Sequence, residues 1–458
     1  MKRIDNLYSK IIDIKNITDM YDKKISINTK NKVKVEKFDE HYASNIARIK
    51  EILESKNYMP YKYNIFLIRE PKVRLIMAQS ITDKIINHLV SKYILVDVFE
   101  PMLIENNIAM RVGKGTHVGI KKLKECLKRN IDKKLYVLKF DVEKYFFNID
   151  HDILKFIIRR KIKEKDAINI LDIIIDSTNE DYINKTIINI KNKEITKIKN
   201  SNITNKKQLI EEIKKIPLCK KGKSVPIGNM SSQTFAVIYC HEIDSYIVEK
   251  LKPILYLRYN DDGILISDNK EYLKDCLKKI AKLMDKYKLS LNNKTGIYSV
   301  DEGFEFLGFK YIRKNNKLVV KVKNQTKKRF KRRIKTIYKL YINNKYNLKD
   351  LKQVKMSYLG HLKYGSTNNL VKVTLDRYSN DKYYDLGSKV IISDNNDLLY
   401  VMKNKSKYWF NYKKMIGYIH RANTDSGFRR LMSGMSTMMA VLTTTTSTTT
   451  TMLFAQLS

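Results

Sequence analysis

The sequence predicts an α+β fold, and three observations carry that prediction. Apolar and aromatic runs broken by turn residues, at 63–77, 135–140, 257–267 and 304–311, read as strands and hairpins. Longer stretches, at 1–60, 83–99, 118–129, 234–251, 270–288 and 324–364, carry Ile, Leu, Tyr or Phe at helical spacing. The apolar fraction of 43% over 458 residues suffices for sizeable cores, so the chain holds two to three domains or one multi-lobed enzyme.

Charge narrows the partner. Lys and Arg number 90 against 48 Asp and Glu, a formal net charge of +42. Nucleic acid is the commonest polyanion for such a surface. Lys, Asn and Ile dominate throughout, as an A/T-biased coding sequence would produce, so part of the excess is compositional; no acidic segment offsets it. Thirty Tyr and fifteen Phe supply stacking surface as well as core. Cys126, Cys219, Cys240 and Cys276 lie far apart without metal-ligand spacing, which suggests a reducing cytoplasm and no disulfide framework. Residues 1–16 lack the apolar centre of a secretion signal, and no apolar run suits a bilayer span.

In chain order, 1–60 reads as helices of mixed charge. A hairpin with a Glu70-Pro71 turn follows, and alternation would place Lys72 and Arg74 on one strand face, where they can grip a triphosphate. A solvated strand edge explains the same cations. The loop Arg111-Val112-Gly113-Lys114-Gly115 precedes a helix and suits either a phosphate contact or an ordinary helix start. The strand at 135–140 ends in Asp141. A helix cap accounts for Asp150 or Asp152, but not for Asp141, which stands before the aromatics Tyr145, Phe146 and Phe147.

Residues 178–216 read as a surface insertion of little period, a hairpin plus helix and a candidate RNA contact. The Gly/Pro loop Pro226-Ile227-Gly228-Asn229 with Ser232 and Gln233 either connects or lets a ligand approach backbone. Tyr259-Asn260-Asp261-Asp262-Gly263 forms a hairpin tip. Asn, Asp and Gly are ordinary turn residues, yet two adjacent carboxylates on a buried-looking hairpin are costly without a positive partner. A very basic helical module opens at Lys327-Lys328-Arg329-Phe330-Lys331-Arg332-Arg333, and 443–451 is nearly pure Thr.

Together these boxes resemble the bacterial reverse transcriptases from about residue 63 to 364. Tyr259-Asn260-Asp261-Asp262 matches the Tyr-x-Asp-Asp box. Phe140-Asp141 with Tyr145-Phe146 matches the first catalytic box, and Pro226 to Gln233 the dNTP loop. Lys294-Thr295 and Phe306-Leu307-Gly308-Phe309 match later boxes. The resemblance implies a right-hand polymerase with fingers, a ferredoxin-like palm sheet, a helical thumb and a C-terminal extension. Its domains would be an N-terminal helical region at 1–60, fingers at 61–135, palm at 136–177 with the start of the fingers return, an insertion at 178–216, palm again at 217–312, a basic thumb and C-terminal region at 320–420, and a Thr-rich tail at 421–458.

The resemblance also implies site roles. Asp141, Asp261 and Asp262, with the Val142 carbonyl, would hold two Mg²⁺ ions, with Mn²⁺ a substitute; hard oxygen ligands suit such cations. Lys294 would act as general acid. Lys72, Arg74, Phe146, Pro226, Gly228 and Gln233 would bind dNTP, Phe146 by excluding the ribose 2′-hydroxyl. Phe306, Leu307, Gly308 and Phe309 would form the primer grip. Partners would be an RNA template or non-coding RNA and the DNA product, with a homo-oligomer or partner protein left open.

The Ile227…Gln233 form of the dNTP loop is similar to diversity-generating-retroelement enzymes and departs from intron enzymes, which usually carry Gln-Gly…Ser-Pro. No zinc or endonuclease signature follows the thumb, and the Val-Thr-Gly box of retron enzymes is missing. The insertion and extended C-terminus resemble phage-defence lineages. Template-independent or protein-primed synthesis, and a non-catalytic RNA-binding scaffold, remain alternatives on the same fold.

Overall fold

The computed structural model describes residues 3–69, 72–343 and 345–380. Glu70, Pro71 and the Thr-rich tail lie outside them, as does the thumb and C-terminal region beyond residue 380. The chain divides into two compact units, Met1–Leu307 with Tyr311–Val319, and Gly308–Lys310 with Val320–Ser458.

The first unit opens with helices, of which α1 (Tyr42–Glu54) buries Ile46, Ile49 and Leu53 at helical spacing. Strands β1 (Asn64–Ile68) and β2 (Arg74–Ala78) pair antiparallel. Only Arg74 belongs to a strand. Lys72 sits in the bend two residues before β2, but it and Arg74 are both exposed while Leu75 and Met77 are buried, so the two cations lie outward as alternation expects. Helix α2 (Ile81–Val90) starts where the Ser80 hydroxyl accepts from the Asp83 N–H at 3.0 Å. Helix α3 (Thr116–Arg129) follows the glycine loop. There Arg111 is held by Glu100 and donates to the Ile104 and Asn107 carbonyls, which favours the ordinary helix start over a phosphate contact.

Strand β3 (Tyr136–Asp141) leads through a short aromatic turn, Tyr145–Asn148, to helix α4 (His151–Arg159), capped by Asp150. The insertion is two helices, α5 (Asp181–Lys199) and α6 (Lys206–Lys214), rather than a hairpin plus helix. Ile183 and Ile187 of α5 pack with Tyr63, Ile65, Leu75 and Met77, covering the β1–β2 hairpin. An Ile stripe diluted by Asn and Lys hid this period in the sequence.

Helix α7 begins at Met230, within the predicted loop, because Ser231 and Ser232 bury in its first turn; it runs Met230–Tyr239, and α8 (His241–Tyr246) follows. Strands β4 (Leu255–Tyr259) and β5 (Asp262–Ser267) form the central hairpin, then come α9 (Lys270–Lys286) and β6 (Gly296–Ser299). The four strands order as β4-β5-β3-β6, all antiparallel, with helices between β3 and β4 and between β5 and β6. This is the strand order of a ferredoxin-like sheet. Helix α9 buries Leu273, Cys276, Ile280 and Met284 on the face it turns to the core.

Gly263 is not the turn residue that the sequence suggested. Its φ is not positive, and a Cβ there would lie 2.2 Å from Cζ of Phe140, its cross-strand partner, which is fully buried. Gly263→Ala is therefore expected to cost about 1–3 kcal/mol of unfolding free energy through overpacking, read by denaturant titration. A change below about 0.5 kcal/mol, typical of uninvolved sites, would contradict that packing.

Strands β7 (Phe304–Phe306), β8 (Phe309–Lys314) and β9 (Lys317–Val322) form a second sheet. In the second unit, α10 (Asn324–Ile342) buries Phe330, Ile334 and Ile337 and turns its run of Lys and Arg outward. Helices α11 (Leu348–Leu362) and α12 (Asn368–Asn380) follow. The four cysteines are free, as expected. Among the described residues no helix is long and apolar enough to cross a membrane.

Candidate active site

The predicted carboxylates meet at one end of the ferredoxin-like sheet. Antiparallel pairing sets Asp141, the last residue of β3, opposite Asp262, the first of β5. Cross-strand partners share a face, so both side chains leave the sheet on the same side. Asp261 directly precedes Asp262 in the two-residue turn that joins β4 to β5, where Asn260 adopts the left-handed conformation (φ 55°) that Asn tolerates. The Val142 N–H donates to the Asp261 carbonyl at 3.0 Å, tying the hairpin tip to the end of β3.

Burial pushes the Asp262 carboxyl up to about 6, against the pull of Lys139, with Asp141 and Asp261 adding to the rise. Asp261 is also raised, by burial and then by Asp141, while Arg74 and Arg258 oppose the shift. Arg74 thus exerts its charge on the site, as a triphosphate ligand would need to. Lys139 Nζ stands 3.4 Å from Asp262 Oδ1, which has no hydrogen-bond partner.

Asp141 is gripped by a turn that the sequence reading undervalued. Asn292 donates through its side chain to Asp141 Oδ2 and through its N–H to the Asp141 carbonyl at 2.8 Å, and Thr295 Oγ1 accepts from the Asp141 N–H at 3.4 Å. Asn292 Oδ1 in turn accepts from the Lys294 N–H at 2.8 Å, leaving the Lys294 side chain exposed beside the site.

Among the described residues, no three His, Cys, Asp or Glu side chains are gathered as a metal cage. Asp141 is hydrogen-bonded by Asn292 and Asp262 faces Lys139. The donor set still fits a hard divalent cation: carboxylate oxygens whose charge is disfavoured by burial and, at Asp262, offset only by the Lys139 ammonium at 3.4 Å.

The Pro226–Gln233 segment, which the resemblance assigns to dNTP, is stitched into place rather than free. Ile227 O accepts from the Met77 N–H of β2 at 2.9 Å, and the Val225 N–H donates to Phe146 O at 2.8 Å. Gly228 (φ 122°) comes so close to β2 that a Cβ would lie 3.3 Å from Ile76. Pro226 is buried, Gly228 exposed and Gln233 half-buried. Half-buried Phe146 meets Tyr145 edge-on, ring centroids 5.9 Å apart.

In the first unit, Phe306 is buried and Leu307 takes a positive φ of 48°. In the second, Gly308 has φ 87° and buried Phe309 lies 4.8 Å from the His361 ring. Two successive positive φ values make the tight turn that joins β7 to β8.

Two residues escaped sequence reasoning altogether. Arg258 and Asp244 are 1% exposed each and pair at 2.7 Å behind the hairpin. The one local signal was Arg258, a lone charge inside an apolar strand and costly if unpaired; Asp244 stands in a polar helix beside Glu242 and gave none.

An antiparallel sheet with carboxylates at its tip and a cation bearing on them is the arrangement of a nucleotidyltransferase. The family model for reverse transcriptase (RNA-dependent DNA polymerase) matches residues 68–311, more than half of the chain, and the chain belongs to this family. It is an RNA-directed DNA polymerase, which implies an RNA template, a DNA product and dNTP substrates in a family that typically uses divalent metal ions. No curated protein matches the chain.

Proposed function

We propose that the protein extends a 3′-hydroxyl along an RNA template by two-metal catalysis within a right hand of fingers, palm and thumb. The observation that carries this is the register that brings Asp141 opposite Asp262, with Asp261 next to Asp262 in the β4–β5 turn. Asp141, Asp261, Asp262 and the Val142 carbonyl would hold Mg²⁺, which when bound activates the primer hydroxyl and steadies the leaving group. Lys72 and Arg74 bind the triphosphate, Arg74 with its charge already felt at Asp261. Lys294, presented by the Asn292 turn, donates a proton to departing pyrophosphate. Pro226, Gly228 and Gln233 line the nucleotide, and Phe306 to Phe309 hold the primer end. The outward cations of α10 track duplex phosphates.

The test is primer extension on RNA with dNTPs. Synthesis is expected with Mg²⁺, to cease with a chelator, and to return with Mg²⁺ or Mn²⁺; synthesis indifferent to the chelator would refute the assignment. Asn292→Ala is expected to lower kcat about 10- to 100-fold, the usual effect of removing a side chain that orients a ligand. Steady-state kinetics check this, and an unchanged kcat would remove Asn292 from the site.

We further propose that the enzyme works with a dedicated non-coding RNA in bacterial anti-phage defence. The Ile227…Gln233 loop and the inserted α5–α6 pair support that placement over an intron or retron enzyme. Sequencing the RNA and DNA that copurify from cells tests it; a single recurrent RNA is expected, and a random transcript pool would count against it.

A further inference from the structure

Burying an Arg–Asp pair demands a reason, because apolar side chains of similar volume usually serve a core equally well. Asp244 of α8 is saturated. Its Oδ1 accepts from Arg258 Nε and from the Tyr256 hydroxyl, each at 2.7 Å, and its Oδ2 from Arg258 Nη2 at 2.7 Å and Asn107 Nδ2 at 3.1 Å. The Arg258 backbone is held as firmly, its N–H donating to Asn106 O at 3.1 Å and its carbonyl accepting from the Ile108 N–H at 3.0 Å.

An arginine fixed at both backbone and fork has two donor contacts left over. One goes from Nη2 to the Val237 carbonyl at 3.0 Å, the other from Nη1 to the Asn260 carbonyl at 2.7 Å. The second contact matters for catalysis. Asn260 is the left-handed residue of the turn, and its carbonyl belongs to the peptide plane whose nitrogen is that of Asp261. Holding that oxygen sets the plane, and with it the direction in which the Asp261 side chain departs.

We propose that Asp244 and Arg258 are positioning residues for the polymerase reaction: a buried, pre-formed guanidinium fork that locks the Asn260–Asp261 peptide and so aims Asp261 at the cation site. The proposal rests on the reading of Asp261 as a metal ligand. The planar fork explains the residue type, since it spans a carboxylate and a carbonyl at once, whereas an ammonium is a single point.

Either single truncation leaves a buried charge unpaired and damages folding. The decisive variant is therefore the triple Asp244→Leu, Tyr256→Phe, Arg258→Met, which removes both charges and the Tyr256 hydroxyl, leaving the Asn107 amide as the one side-chain donor that loses its acceptor. It is expected to unfold cooperatively and to bind an RNA–DNA duplex as the parent does. Its terbium affinity, followed by sensitised luminescence, is expected to fall about tenfold, and kcat about 10- to 100-fold, with KM for dNTP nearly unchanged. A folded triple variant with parental terbium affinity and kcat would overturn the proposal.

Should the triple not fold, Arg258→Lys takes its place. It keeps the charge but cannot reach Asp244 and the Asn260 carbonyl together, so a lowered kcat at unchanged KM is expected and a parental kcat overturns the proposal. Asp261→Ala is the control. If it retains activity, the reading of Asp261 fails; if it is inactive beside a fully active triple variant, only the positioning role fails.

Discussion

Asp261→Ala is expected to slow primer extension on an RNA template by about a thousand-fold or more, without lowering the unfolding temperature measured in chelator. The two halves of this result come from one geometry. Asp261 is half-buried in the β4–β5 turn, where burial and then the Asp141 charge raise its carboxyl from the ordinary carboxylate value. Without a cation, the ionised side chain is a burden to the fold at neutral pH, so its removal relieves strain. On the proposed reading that same carboxylate would be a ligand of a bound cation, and about 4 kcal/mol of lost transition-state stabilisation corresponds to a thousand-fold in rate. Single-turnover extension and a thermal melt in chelator check the pair. Activity within tenfold of the parent would sink the assignment of Asp261, and a collapsed melt would show that the turn depends on this side chain for folding.

Phe146→Ala is expected to raise ribonucleotide incorporation relative to deoxyribonucleotide by roughly a hundred-fold, because a steric block is the only means by which an apolar site rejects an added hydroxyl. Phe146 is suited to that task by its restraints. Its carbonyl is fixed by the Val225 N–H at 2.8 Å, and its ring leans on Tyr145, whose hydroxyl is itself anchored to Ala236 O at 2.5 Å. Competition between rNTP and dNTP on one template measures the ratio. An unchanged ratio, with dNTP incorporation intact, would return Phe146 to the core.

The strands that carry the site were readable because a buried strand announces itself locally. Leu138 and Phe140, or Ile264, Leu265 and Ile266, are apolar neighbours whatever surrounds them. Asp141 was readable for a similar reason, since no cap or turn accounts for it. The α5–α6 pair was not, although Ile183 and Ile187 are correctly spaced, because Lys and Asn crowd the remaining positions and the partner that buries them is a hairpin more than a hundred residues earlier. Only the boundary of β2 was not legible: alternation gave the outward side of Lys72 and Arg74, whereas the strand begins at Arg74, where pairing with Ile68 begins.

By itself, then, the order of residues determined the fold class, the strand-borne carboxylates and the basic helix α10, all properties of near neighbours in the chain. Tertiary structure alone decided which groups meet across long separations. It turned Asn292 onto Asp141, left Gly263 bare for the Phe140 ring, and carried the Arg258 fork from Asp244 to the Asn260 carbonyl. Those choices follow from strand register and helix packing, which no local period encodes. They convert the Asn260–Asp261 turn from a sequence of flexible residues into one held conformation.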